Sequence, residues 1–216
     1  MINCERIVTR TVIVAFAGAG CTPAFWSDES RALMYASMWL HGVSSAPDSI
    51  REYMAGNRSG TDAIEEALLD RRRRPREFSE VSAVYWLSNS GRPEYLKTLM
   101  RFAGDTNGDV ATYSIFGLVR HTHVPAVRAR LMQLDVLAAR DVRNNMASML
   151  AIVNDSGARR VLATMSRRDL NTATIRWIEV ALSNPPQAWA HGRWPCRPNE
   201  LDPETGRCTR RESPRP

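Results

Sequence analysis

An internal repeat of about 32 residues constrains this chain more than any other feature. Pro93-x-Tyr95-x-x-x-Leu99-Met100 lines up with Pro125-x-Val127-x-x-x-Leu131-Met132, 32 residues on. Val161 and Met165 follow 34 residues after Val127 and Leu131. Upstream, Met38-Trp39-Leu40 and then Pro47 match Tyr85-Trp86-Leu87 and then Pro93. From those prolines Ile50, Arg51, Tyr53 and Met54 align with Leu96, Lys97, Leu99 and Met100.

Within each unit the apolar period is helical. Val142, Met146, Met149, Leu150 and Val153 fall on one face of an α-helix. Turns are expected at Asn89-Ser90-Gly91, at Thr122-His123-Val124 and over Asn154 to Gly157. A proline at the first position of the second helix costs little, because its missing N–H would have no intrahelical partner. Each unit therefore reads as two helices joined by a tight turn. A single pair cannot bury its apolar stripe, so a core forms only by stacking.

The period, the helix pairing and the recurrent proline resemble HEAT-like helical repeats over roughly residues 28–184. The resemblance implies an all-α fold, a short right-handed α-solenoid of about four to five HEAT-like helix pairs, followed by an irregular C-terminal tail. Three segments are expected: a signal segment at 1–24, a repeat domain at 25–184 with an insertion at 55–77, and a Pro/Arg-rich tail at 185–216. The insertion departs from the pattern and carries its own helix, about Thr61 to Arg72, with the basic run Arg71 to Arg74 at its end.

The start of the chain has the layout of a secretory leader. Arg6 and Arg10 precede the uncharged, mostly apolar stretch Thr11 to Gly20, and the small residues Ala17, Ala19 and Gly20 follow. Cleavage is expected between Ala19 and Ala24, or lipidation at Cys21, which makes the protein periplasmic or secreted and, with lipid, membrane-anchored. Gly18 stands where a lipobox usually has leucine. Cys196 and Cys208 enclose a short irregular loop, as an exported disulfide requires. No apolar run reaches the ~18 residues that span a bilayer.

The net charge is +6 and almost all of it is arginine, since Lys97 is the only lysine. A phosphate track along the repeats needs basic residues at one recurring position. The second helices carry Arg51, Lys97, Ala129 and Ala163 at one position, and Asp48, Glu94, Ala126 and Arg160 at another. A local patch of Arg128, Arg130, Arg159, Arg160 and Arg167 is left as the candidate binding surface. His121-x-His123 lacks further ligands near it in sequence, and the pair reads as turn residues. Glu65, Glu66 and Asp70 read as ion-pair partners of the arginine run. No nucleophile elbow, phosphate loop, dinucleotide fingerprint, H-E-x-x-H or C-x-x-C is present. No catalytic residue, cofactor or metal is therefore assigned.

The expected function is an exported, non-catalytic scaffold for a protein partner of acidic character. Two alternatives follow from the HEAT-like resemblance. One is a nucleic-acid-binding or DNA-repair protein, if the chain is not exported; the other is a lyase-type enzyme. Oligomeric state has no signal in the sequence.

Overall fold

The computed structural model describes residues 58–74 and 78–186. Within them the chain forms eight α-helices and no strand. They are α1 (Arg58–Leu69), α2 (Glu80–Ser90), α3 (Leu96–Phe102), α4 (Gly108–Leu118), α5 (Pro125–Leu137), α6 (Arg140–Val153), α7 (Ser156–Thr164) and α8 (Thr172–Ser183). Short 3-10 turns lie at Arg71–Arg73, Pro93–Tyr95 and Val119–His121. The leader, Cys21, the Cys196–Cys208 bridge and the packing of Trp26, Trp39, Trp189 and Trp194 fall outside the described residues.

Local chemistry sets where the helices begin. Ser79, Asn107, Asp155 and Asn171 stand just before α2, α4, α7 and α8, and each side chain accepts a backbone N–H of the first turn. Pro125 opens α5, as the repeat predicts. The ends follow local rules too: Gly91 (φ 64°) stops α2 and Asn154 (φ 42°) stops α6, both in the left-handed region.

Helices two apart in the chain pack on each other. α2 packs on α4, α4 on α6 and α6 on α8, while α3 packs on α5 and α5 on α7. Side-chain bonds repeat at a fixed separation. The Tyr95 hydroxyl donates to Asp62 at 2.6 Å, Thr98 donates to Glu65, Asn145 donates to Thr112 at 3.5 Å and Thr122 donates to Asp155 at 2.7 Å; each pair is 33 residues apart. That separation is close to the 32-residue spacing read in the sequence.

The core runs through all eight helices. Ile64, Trp86, Leu99, Ile115, Leu131, Leu150, Leu162 and Ile178 are buried, one from each. The α6 stripe sits as its spacing predicts: Val142, Met146, Leu150 and Val153 are buried, and Met149 packs on them. Two glycines mark the closest approaches. A Cβ on Gly117 of α4 would lie 2.7 Å from Leu99 and 3.1 Å from the Ser88 backbone. A Cβ on Gly157 of α7 would lie 2.3 Å from the Thr122 carbonyl oxygen.

The arginine run ends differently from its sequence reading. α1 closes at Leu69, and Arg71–Arg73 form a 3-10 turn in which the Asp70 side chain accepts the Arg72 N–H. Arg73 pairs with Glu66 and Asp70. Arg74 is mostly buried and donates to the carbonyls of Ala67 and Leu68, both at 2.8 Å, and to Glu80 at 2.5 Å. Glu65 bonds Thr98 of α3 and not the arginine run.

Candidate interaction face

The α5 helix buries Val127, Leu131 and Leu134 along one side. Ala129, Met132 and Val136 lie on the opposite side, at steps of three and four residues, and all three are exposed. Val136 is 82% exposed and Leu137 67%. Apolar side chains that accessible, two in sequence at a helix end, mark a surface awaiting cover.

The neighbours of α5 are fixed by polar bonds. On one flank the Arg130 Nε donates to the Met100 carbonyl at the end of α3, 3.0 Å away. On the other flank Asp135 accepts the Ser166 N–H, 2.9 Å away, just beyond α7. Asp135 also pairs with Arg143 of α6 at 3.0 Å, and both side chains are only 10% exposed. Arg143 in turn donates to the carbonyls of Ser166 and Arg168.

Charge is segregated by helix. α3, α5 and α7 together carry Lys97, Arg101, Arg128, Arg130, Arg159 and Arg160 against one acid, Asp135, which Arg143 neutralises. α2, α4, α6 and α8 carry three basic residues (Arg140, Arg143, Arg176) and four acidic ones (Glu80, Asp109, Asp141, Glu179). The helix α1 departs from its odd-numbered companions, with Arg58 against Asp62, Glu65 and Glu66. The three-helix face is therefore the basic side of the described structure.

Four of the five arginines of the sequence patch are tied to backbone. Arg128 donates to the carbonyls of Thr122 (2.7 Å) and His123 (3.0 Å). Arg130 holds Met100 as described. Arg159 bridges to the end of α8, donating to the carbonyls of Ala181, Leu182 (2.8 Å) and Asn184 (2.5 Å). Arg167 donates to Leu162 (3.0 Å) and Met165 (2.5 Å). For Arg130, Arg159 and Arg167 the physical cause is common: the last carbonyls of a helix lack N–H partners and sit at the negative end of its dipole, whereas Arg128 reaches back to the turn before its own helix. A guanidinium offers five donors in a planar fork, which suits several carbonyls at once. Each of these four guanidiniums is thus engaged by backbone carbonyls. Arg160 is the exposed member of the set.

Lys97 and Arg101, exposed and one turn apart on α3, join Arg160 on this face. Sequence alignment placed Lys97 at a register position that carries Arg51 in one unit but Ala129 and Ala163 in the others, and so passed over it. The exposed α5 apolar residues were missed because Leu134 and Leu137 look alike in a periodic reading. Only the ends of neighbouring helices separate the buried one from the exposed one.

A second group of polar and aromatic side chains lies on α2 and α4. Tyr85 meets Tyr113 edge-on at 5.1 Å and Phe116 in a stacked arrangement at 6.5 Å. The Arg120 guanidinium lies 5.4 Å over the Phe116 ring, and burial pushes its pKa down to about 10. Burial raises the Tyr113 hydroxyl; burial, with the Asp62 carboxylate beside it, raises that of Tyr95 well above the usual phenol range. His121 is buried and His123 exposed, with their rings 5.7 Å apart.

Among the described residues no group of three or more His, Cys, Asp or Glu is placed to hold a metal ion. No described helix is long and apolar enough to cross a membrane. No protein-family model, curated protein or solved structure matches the chain.

Proposed function

We propose that this chain is an exported, non-catalytic interaction scaffold, built as a short right-handed solenoid of HEAT-like helix pairs, and that its α3–α5–α7 face receives an acidic protein partner. The carrying observation is the segregation of charge: six cations and one neutralised acid on three adjacent helices. A field of one sign over a contiguous face steers an oppositely charged partner and fixes its orientation.

The repeat reading is supported by the packing of helices two apart and by bonds at 33 residues. Under it α1 takes the place of a second helix, with Asp62 bonded to Tyr95 in the turn before α3 and Glu65 bonded to Thr98 of α3 at that same separation, so that the described part of the insertion supplies a unit of the stack. A protein partner fits better than nucleic acid. Four of the five patch arginines are held on carbonyls, and the ridge between the exposed cations is apolar, whereas a phosphate backbone rewards free cations at regular spacing.

Binding is tested by reversing charge where it is exposed. The variant Lys97→Glu/Arg101→Glu/Arg160→Glu should keep the wild-type melting temperature, because none of these side chains is buried. Its capture of partner proteins from the extracytoplasmic fraction should fall at least about tenfold at low salt and lose its salt dependence. Equal capture by Lys97→Glu/Arg101→Glu/Arg160→Glu and wild type would refute the face.

Export rests on Arg6, Arg10 and the Thr11–Gly20 stretch. The expected intact mass of the natively produced protein begins between Ala19 and Ala24, with Cys196 and Cys208 alkylated only after reduction; a diacylglyceryl group on Cys21 would identify the anchored form. A full-length mass with every thiol reactive rules export out and revives the nucleic-acid reading.

A further inference from the structure

We propose that the occupant of the α3–α5–α7 face is an acidic amphipathic helix of the partner, its apolar stripe laid along the Ala129–Met132–Val136 ridge and its carboxylates reaching Lys97 and Arg101 on one flank and Arg160 on the other; this rests on the scaffold reading above.

Three observations carry it. The ridge residues recur at three- and four-residue steps and span eight residues of α5, a length of about 10 Å, two turns of a facing helix. Val136 stands 82% exposed at its end, beside Leu137 at 67%, so the ridge offers an anchor and not merely neutral surface. The helices α3 and α7 both pack on α5; Lys97 and Arg101 are exposed one turn apart on α3, and Arg160 is exposed on α7, where Ala163 and Thr164 beside it are small. An apolar strip between two cationic borders is the complement of a helix whose apolar stripe is bordered by Glu or Asp.

Competing occupants fit less well. A nucleic-acid backbone has nothing to place on Met132 and Val136. A second copy would have to offer its acidic α1, but Asp62 and Glu65 there are bonded to Tyr95 and Thr98, and Glu66 to Arg73.

The test uses the full chain and a fluorescent model peptide of about 16 residues, with Leu at successive turn positions and Glu on both borders. Two comparators replace Glu by Lys or Leu by Ser. The Glu/Leu peptide should bind with roughly micromolar Kd and each comparator at least about tenfold more weakly. Val136→Asp, and separately Lys97→Glu/Arg101→Glu, should each weaken it at least about tenfold, with unchanged circular dichroism and melting. If charge reversal abolishes binding while Val136→Asp and the Ser peptide bind undiminished, helix docking is overturned and the scaffold reading survives. If neither variant matters, both fall. A 16-base-pair DNA duplex binding more tightly than the Glu/Leu peptide, and indifferent to Val136→Asp, also overturns the proposal, as does binding lost on dimerisation of the free protein.

Discussion

Gly157→Ala is expected to destabilise the fold by about 3 kcal/mol, at the upper end of ordinary overpacking, because the new methyl has nowhere to go. Its Cβ would stand 2.3 Å from the Thr122 oxygen and 2.6 Å from the Thr122 carbonyl carbon, both backbone atoms. Relief requires α7 to lift off the turn that follows α4. Lifting it breaks the Thr122 bond to Asp155, the cap of α7, and leaves Arg159 further from the end of α8. The loss should thus propagate into α7 and α8 and be read by denaturant unfolding with hydrogen exchange. Two other glycines provide contrast. A Cβ on Gly104 meets only the movable end of Arg130 and the edge of Leu134, so alanine there should cost far less. At Gly108, the first residue of α4, the nearest atom is 3.9 Å away, and alanine should stabilise by about 0.5 kcal/mol through a smaller loss of backbone entropy. Equal costs at all three positions would show that the α7 contact is not as close as described.

Asp135→Ala is the second large effect, an expected loss of about 3 kcal/mol. The carboxylate joins three segments: it lies on α5, pairs with Arg143 of α6 and accepts the Ser166 N–H beyond α7. Removing it leaves a guanidinium that is about nine-tenths buried with carbonyl partners but no counter-charge. Breaking such a pair costs more than the pair contributes, because the surviving charge has already been taken out of water. The double replacement Asp135→Leu/Arg143→Met should therefore recover most of the loss. A double-mutant cycle reads the coupling directly, and additive effects would mean that the two side chains act independently. Neither variant touches the exposed cations of the interaction face, so binding by the folded fraction should be unchanged.

The helices were largely legible in advance for a local reason. The stripe Val142 to Val153 is a property of one helix, and caps such as Ser79 and Asp155, which the sequence reading did not single out, also bond a backbone N–H only three residues away. Both signals are contained in a short window of sequence. The spacing of about 32 residues read in the sequence lies close to the 33 that separates four bonded side-chain pairs. The candidate face was legible only in outline. Five arginines could be gathered into a patch, yet whether each met solvent or a carbonyl depended on where the next helix ended.

The sequence by itself determined that the described residues are helical, because the 3.6-residue period acts within a turn or two. The tertiary structure alone decided the uses of its arginines. Arg130 reaches 30 residues back to Met100 and Arg159 reaches 22 residues on to Ala181, so their partners exist only once helices are stacked. It likewise decided that Leu134 is buried while Leu137, three residues on, is left in water.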